Sequence, residues 1–483
     1  MIYALKGLLV MALLLTGSIF SIFLKNAAAH QSPTHSEAEG IWQGTLKVSG
    51  MELHLLFHIS KGPDGNLTAT LDSPDQGATG IAVDTVTLQG RALHVEIKRI
   101  ALIYDGELAD DGAGVTGTLT QGGQKMALNL TKLEKAPERL AVIEPKRPFP
   151  YDEQDVSYEN KAAGVTLAGT LTLPRAKGPY PVVLLITGSG PQDRDETLLG
   201  HKPFLVLSDY LTRNGIAVLR VDDRGIGKST GKFGAATTED FATDVMAGVE
   251  YLRTRKEVDP KQIGLIGHSE GGIIAPMVAA KSPDVAFIVM MAGTGISGEQ
   301  ILYLQGELIA RANGTPEAEV EAARKIQEQM FAVVKTEPDR ATAQKELHEI
   351  VQKARASMTE DQKKEASEAA INEQISALMT PWFKYFMSYD PRPALERVKC
   401  PVLAVNGAKD LQVPPKQNLP QIEEALEKGG NSDHEIVELP GLNHLFQTCN
   451  SGSPSEYSKI AETMSPLVLE TIGDWIHRHT KRQ

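Results

Sequence analysis

A serine works as a nucleophile only where its hydroxyl is exposed, its proton has a base to go to, and the resulting oxyanion meets waiting donors. Ser269 has the first of these written into its surroundings. It lies in Gly267-His268-Ser269-Glu270-Gly271, after the apolar run 263–266 and before the apolar stretch 273–280, which reads as a buried helix. A serine on so sharp a strand-to-helix turn is held strained, with its hydroxyl above the sheet edge. A Cβ at Gly267 or Gly271 would crowd that turn. The helix that follows offers N–H groups and a partial positive charge to an oxyanion forming there. Gly-x-Ser-x-Gly also arises by chance; the strand before it and the helix after it make the assignment.

The partners of such a serine are expected in the order acid, then histidine. Asp410 follows the apolar strand 401–406 through Gly407-Ala408-Lys409. An acid at the C-terminal end of a strand can reach an imidazole in the neighbouring loop and fix its tautomer. Asp433 and Glu435 lie too near the start of the last strand for that job. His444, in Pro440-Gly441-Leu442-Asn443-His444-Leu445-Phe446, comes just after that strand. His434 precedes the strand, and His477 and His479 sit in a basic helix end. His268 is held by the turn itself, which suits it to a supporting role. Ser269, Asp410 and His444 are therefore the expected catalytic set.

These residues need a scaffold. From residue 156 onward the pattern is strands alternating with helices, the sign of a largely parallel sheet. Residues 165–173 read as an early hairpin strand. The near-continuous apolar runs 181–187, 216–221, 263–267 and 287–291 suit strands covered on both faces, and 402–405 and 435–439 complete the sheet. Helical periodicity fills 203–214 and 239–254. A long helical interruption spans 298–380, opened by the capping box Ser297-x-x-Gln300 and broken at Asn313-Gly314. Thr315-Pro316 opens its second helix, Pro338 precedes its third, and Thr359-x-x-Gln362 reads as the cap of a fourth. Its position predicts a lid over the strand C-termini, where open α/β sheets bind ligands. The aromatic cluster Trp382, Phe383, Tyr385, Phe386, Met387 and Tyr389 either packs lid to core or lines an acyl pocket.

Ahead of this lies a unit of all-β character, residues 38–133. Leu53, Leu55, Phe57 and Ile59 alternate with polar neighbours, as do Leu93, Val95 and Ile97, and turn signals recur at 62–65, 73–77, 111–112 and 122–123. A small barrel or sandwich follows from that spacing. His54, His58 and His94 fall on the polar faces of their strands, so they read as solvated surface, not as a metal cluster. Residues 134–150 are a proline-bearing linker. The domain order is thus a leader 1–29, the β-rich unit 38–133, the linker, a core in two parts (151–297 and 381–483), and the lid 298–380 between them.

The chain of 483 residues carries a net charge of −12, which argues against nucleic acid as a partner. Lys6, an apolar run 8–24 and Ala27-Ala28-Ala29 make an export signal cleaved after Ala29; an uncleaved membrane anchor is the alternative. Of the two cysteines, Cys400 opens the strand 401–406 and Cys449 follows the loop bearing His444, expected at the far end of the sheet about six strand residues away. That is roughly 20 Å, against the roughly 7 Å that a disulfide spans, so free thiols are expected. Gly225-Ile226-Gly227-Lys228-Ser229 lacks the earlier glycine of a phosphate-binding loop, because Asp222 stands there.

From about residue 150 the chain resembles the α/β-hydrolase superfamily. More narrowly it resembles bacterial serine carboxylesterases carrying Thr187-Gly188-Ser189-Gly190-Pro191-Gln192-Asp193-Arg194-Asp195, Asp222-Asp223-Arg224-Gly225-Ile226-Gly227-Lys228-Ser229 and Gly267-His268-Ser269-Glu270-Gly271-Gly272. The resemblance implies an α/β-hydrolase sheet with a helical lid. Thr187 stands where many members have histidine before the oxyanion glycine. The oxyanion donors are then expected to be the Glu270 N–H and that of Ser189 or Gly190. Arg194, Asp195, Asp223 and Arg224 are expected to pair and brace this segment; substrate binding is the rival role. The function expected is an exported serine hydrolase cleaving esters of small to medium acyl chain, requiring no metal or cofactor. A serine peptidase or amidase, or a catalytically silent binding protein, is the alternative. The partner expected is a small-molecule ester, with a membrane only if the leader is retained; nothing in the sequence speaks to oligomeric state.

Overall fold

Alternating apolar and polar residues build the first unit. In the computed structural model, residues 38–48, 51–62, 65–73, 78–121, 124–135, 144–356, 363 and 368–480 are described. The leader, the signals at 63–64, 73–77 and 122–123, much of the linker and the Thr359-x-x-Gln362 box lie wholly or partly outside these residues. The strands of the first unit are β1 (Gly40–Val48), β2 (Met51–Lys61), β3 (Leu67–Ser73), β4 (Ala78–Ala82), β5 (Thr85–Gln89), β6 (Ala92–Ile97), β7 (Leu102–Leu108), β8 (Gly114–Gln121), β9 (Gln124–Ala127) and β10 (Leu130–Leu133). They form one antiparallel ten-stranded sheet in the order β4-β3-β2-β1-β10-β8-β7-β6-β5, with β9 paired to β8. The expected barrel or sandwich is thus a single sheet folded around one core that holds Trp42, Phe57, Tyr104 and Leu119. His58 and His94 lie on its polar face, where each meets a cross-strand carboxylate, Asp72 at 3.1 Å and Asp105 at 2.7 Å.

The second unit carries an eight-stranded sheet. Its strands are β11 (Asp152–Asn160), β12 (Val165–Leu173), β13 (Tyr180–Ile186), β14 (Ala217–Val221), β15 (Val258–His268), β16 (Phe287–Met291), β17 (Val402–Gly407) and β18 (His434–Leu439), in the order β11-β12-β14-β13-β15-β16-β17-β18. The hairpin β11–β12 runs antiparallel and β12 pairs antiparallel with β14; every later pair is parallel. β16 is buried throughout, as a strand with both faces covered must be. β11 escapes the apolar pattern because only Tyr158 and Asn160 of its residues are buried.

Helices cover both faces. They are α1 (Pro203–Arg213), α2 (Thr238–Arg253), α3 (Gly271–Ala279), α4 (Gly298–Ala312), α5 (Glu317–Thr336), α6 (Arg340–Arg355), α7 (Glu368–Leu378), α8 (Pro381–Ser388), α9 (Arg392–Leu395), α10 (Pro415–Lys428) and α11 (Pro466–Thr480). Phe204 and Leu207 of α1 and Ile472 and Trp475 of α11 bury one face. On the other, Val249, Ile274 and Ile422 share a core with Leu302, Phe331, Leu347 and Ile371 of the insertion and with Trp382 just after it. The apolar stripes of the inserted helices therefore join the main core. Ser297 and Gln300 form the capping box that starts α4. A Cβ on Gly298 would come within 1.9 Å of the Phe386 carbonyl oxygen, so α4 and α8 touch backbone to side-chain-free backbone. This is the α/β-hydrolase fold.

Candidate active site

The order β14-β13-β15 reverses the direction of sheet building at β13. At such a point the loops leaving two adjacent strands diverge and open a crevice beyond their C-terminal ends. The loop after β13 begins at Thr187, and β15 runs directly into Ser269.

Ser269 has φ 54°, left-handed backbone that a non-glycine residue adopts only where its surroundings impose it. The glycines explain the imposition. A Cβ on Gly267 would lie 1.9 Å from the carbonyl oxygen of Gly271, and one on Gly271 would lie 2.2 Å from that of Ile186. The turn is thus wedged between α3 and β13, and the Ser269 N–H is tied to the Met291 carbonyl at 2.8 Å. Next to it, a Cβ on Gly188 would meet Ser269 Cβ at 3.4 Å, so the loop after β13 passes over the serine.

His444 and Asp410 come together although they lie on different loops. The His444 ring Nδ1 is 2.7 Å from Asp410 Oδ2, both side chains being buried. Asp410 is itself fixed, because its Oδ1 accepts the N–H groups of Gln412 and Val413, each at 2.8 Å. The loops carrying the pair meet closely: a Cβ on Gly407 would lie 2.3 Å from the Leu442 carbonyl oxygen. The His444 ring stands 4.9 Å, centroid to centroid, from that of His268, the residue preceding Ser269. Among the described residues, no protein acceptor engages the N–H of Glu270, Ser189 or Gly190. The Gly188 N–H is taken by Glu196 Oε1 at 2.6 Å.

Buried acids surround this turn. Glu270 Oε1 accepts the Thr238 hydroxyl at 2.7 Å and the Trp382 indole N–H at 2.8 Å. Burial raises the Glu270 pKa, and these donors, with the Ser189 hydroxyl, pull it partly back. Asp223 is raised further by burial, despite the Gln192 N–H and the Thr187 hydroxyl that it accepts at 2.9 Å each. Bracing by ion pairs is present, with partners other than those expected. Arg194 grips Asp222, donating from Nη2 at 2.7 Å and from Nε at 3.0 Å; Asp195 pairs with Arg220, and Arg224 with Asp244 at 2.7 Å. Adjacent residues on a strand end point opposite ways, which is why Asp222 and not Asp223 meets Arg194. Asp222 also closes the turn at Gly227, where a Cβ would lie 2.3 Å from its carboxylate. Three functional neighbours escaped the sequence reading: Glu196, Thr238 and Trp382's tie to Glu270. Each meets a partner far away in sequence, Glu196 reaching His268 and both Thr238 and Trp382 reaching Glu270. Both cysteines are free thiols.

The sequence model of the X-Pro dipeptidyl-peptidase (S15) family matches residues 163–439, more than half of the chain and all of its strands from β13 to β18. The chain belongs to the S15 family. This family member is 24% identical over 335 residues to esterase EstD of Thermotoga maritima, an alignment spanning 68% of each chain. Among solved structures, the α/β hydrolase GrgF of Penicillium sp. covers 68% of this chain and 99% of its own at 18% identity, with a TM-score of 0.42. Esterase Pf2001 of Pyrococcus furiosus covers 71% and 99% at 15% identity, with a TM-score of 0.41.

Proposed function

We propose that the protein is an exported serine hydrolase cleaving carboxylic esters of small to medium acyl chain, with Ser269 as nucleophile, His444 as base and Asp410 as its orienting acid. The observation that carries this reading is the strained Ser269 turn at the sheet's crossover, set beside a buried His444–Asp410 pair at 2.7 Å. In this reading the Nδ1 proton of His444 faces Asp410, leaving Nε2 free to take the serine proton. Ser269 Oγ attacks the ester carbonyl, and the oxyanion is received by the N–H groups of Glu270 and of Ser189 or Gly190. His444 then protonates the leaving alcohol, and a water activated by the same ring releases the acid. The inserted helices, packed in one core with Trp382 of α8, set the choice of acyl chain.

The kinship with an enzyme named as an esterase supports ester cleavage; the family's peptidase description supports an amide-cleaving alternative with the same residues. Paired panels decide between them: p-nitrophenyl esters from acetate to decanoate against dipeptidyl anilides carrying proline. Turnover of the anilides exceeding that of every ester would overturn the ester reading. Ser269→Ala should lower kcat by roughly 10⁶ and abolish fluorophosphonate labelling; retained turnover removes the triad. Export predicts a mature N-terminus at His30, read by N-terminal sequencing from the native host. No helix among the described residues is long and apolar enough to cross a membrane.

A further inference from the structure

We infer that His268 is held as an imidazolium with Glu196 as counter-ion, and that it is a positioning residue which ties the base loop to the nucleophile turn. The inference rests on the triad reading but concerns residues outside the triad. Both ring nitrogens of His268 face acceptors: Nδ1 lies 2.9 Å from Glu196 Oε1, and Nε2 lies 3.0 Å from the backbone carbonyl of His444. A carbonyl oxygen can only accept, so Nε2 carries a proton. Nδ1 facing a carboxylate carries the other. Burial works most strongly against a charged ring, yet the Glu196 carboxylate, the His444 carbonyl and the charge of Asp410 together outweigh it and raise the ring's pKa above the ordinary histidine value.

The placement gives this ion pair a use. His268 precedes the nucleophile, the carbonyl it holds belongs to the base, and Glu196 Oε1 also accepts the Gly188 N–H one residue before Ser189. One buried pair thus fixes three loops that share no sequence proximity. Glu196 has φ 53°, so its side chain is aimed inward at the cost of backbone strain. Its other oxygen, Oε2, is buried without a partner, so charge pairing with His268 is its main compensation. The groups facing the ring are Glu196, His444 with Asp410 behind it, and the edge of Phe446; Asp223 and Glu270 lie beyond Glu196. A fixed cation 4.9 Å from the His444 ring opposes a second positive charge there. It therefore extends activity toward lower pH.

Three variants of the full-length chain separate the tie from the charge. The amide nitrogen of His268→Gln overlays Nε2, keeping the bond to the His444 carbonyl without the charge. That of His268→Asn overlays Nδ1, keeping Glu196 and losing the carbonyl. Glu196→Gln removes the counter-ion. Each is assayed with p-nitrophenyl butyrate from pH 5 to 9, with melting temperature as control. His268→Gln should move the acid limb of kcat/KM up by about two pH units, because the cation is lost while Glu196 keeps its charge. His268→Asn should lower kcat about 10- to 100-fold at all pH values with KM within about threefold, as a misplaced base does. Glu196→Gln keeps an acceptor for the Gly188 N–H and loses only the charge, so its fall in kcat should be smaller than that of His268→Asn. Nitrogen-15 spectra of the parent, with the His268 ring assigned through its own backbone and Cβ resonances, should show both ring nitrogens protonated at pH 8. An unprotonated nitrogen there overturns the proposal even if no variant folds. So does a folded His268→Asn with kcat within twofold of the parent. Failure of the triad itself shows separately, as turnover retained by Ser269→Ala, and leaves the spectrum to decide the charge on His268.

Discussion

Asp410→Asn is the most informative single change, because the structure dictates how the amide must lie. Asp410 Oδ1 accepts two backbone N–H groups, from Gln412 and Val413, at 2.8 Å each, while Oδ2 faces His444 Nδ1 at 2.7 Å. An asparagine has one acceptor oxygen and one NH₂ group. Two buried N–H donors left unpaired cost about 1–3 kcal/mol each, so the oxygen turns to them and the NH₂ to His444. The ring must then accept at Nδ1 and carry its proton on Nε2, the tautomer that cannot deprotonate a serine. Lost charge adds to this. With charge centres about 4 Å apart and an effective dielectric constant near 20, the carboxylate stabilises the forming imidazolium by about 4 kcal/mol, roughly a thousandfold in rate. Tautomer and charge together predict a fall in kcat of about 10⁴, with KM changed by less than about threefold. The assay is p-nitrophenyl butyrate hydrolysis at pH 8, with melting temperature measured on the same preparation. A folded variant that loses less than tenfold in kcat refutes the assignment of Asp410 as the orienting acid.

Trp382→Phe removes a donor from the buried Glu270 carboxylate. Burial already raises that carboxyl, so the native state keeps its proton to higher pH than the unfolded chain does, and stability falls as pH rises between the two values. Losing a donor to the charged form deepens the fall. The variant should lose about 1–3 kcal/mol at pH 8 and less at pH 5 in urea titrations; equal losses refute the account. Gly227→Ala combines φ 54° with a Cβ 2.3 Å from Asp222 Oδ2, and should cost roughly 2 kcal/mol or more by thermal unfolding, where a neutral effect would show that Asp222 does not hold the turn. Excising residues 298–380 should give insoluble protein, because Leu302, Phe331 and Ile371 share the main core; a soluble deletion with the parent's melting temperature refutes that continuity.

What the sequence by itself determined is what depends on short range. Gly-x-Ser-x-Gly between an apolar strand and a helix specifies a turn whose strain is local, and Ser269 at φ 54° is that turn. Apolar runs marked the parallel strands, with β16 at 287–291, because a strand covered on both faces has no polar side to disguise it. The Ser297–Gln300 box began α4, since capping is settled within four residues. The acid and base candidates came from order and position relative to strands. Only the tertiary structure decided who meets whom. Glu196 reaches His268 across 72 residues, Trp382 reaches Glu270 across 112, and His268 reaches the His444 carbonyl across 176. Arg194 takes Asp222 in preference to its neighbour because successive residues at the end of β14 point to opposite sides, Asp223 meeting Thr187 and the Gln192 N–H instead. β11 carried too few buried side chains to show a period. Partner choice is a matter of which loops the sheet brings to one edge, and no run of residues in a single loop encodes it.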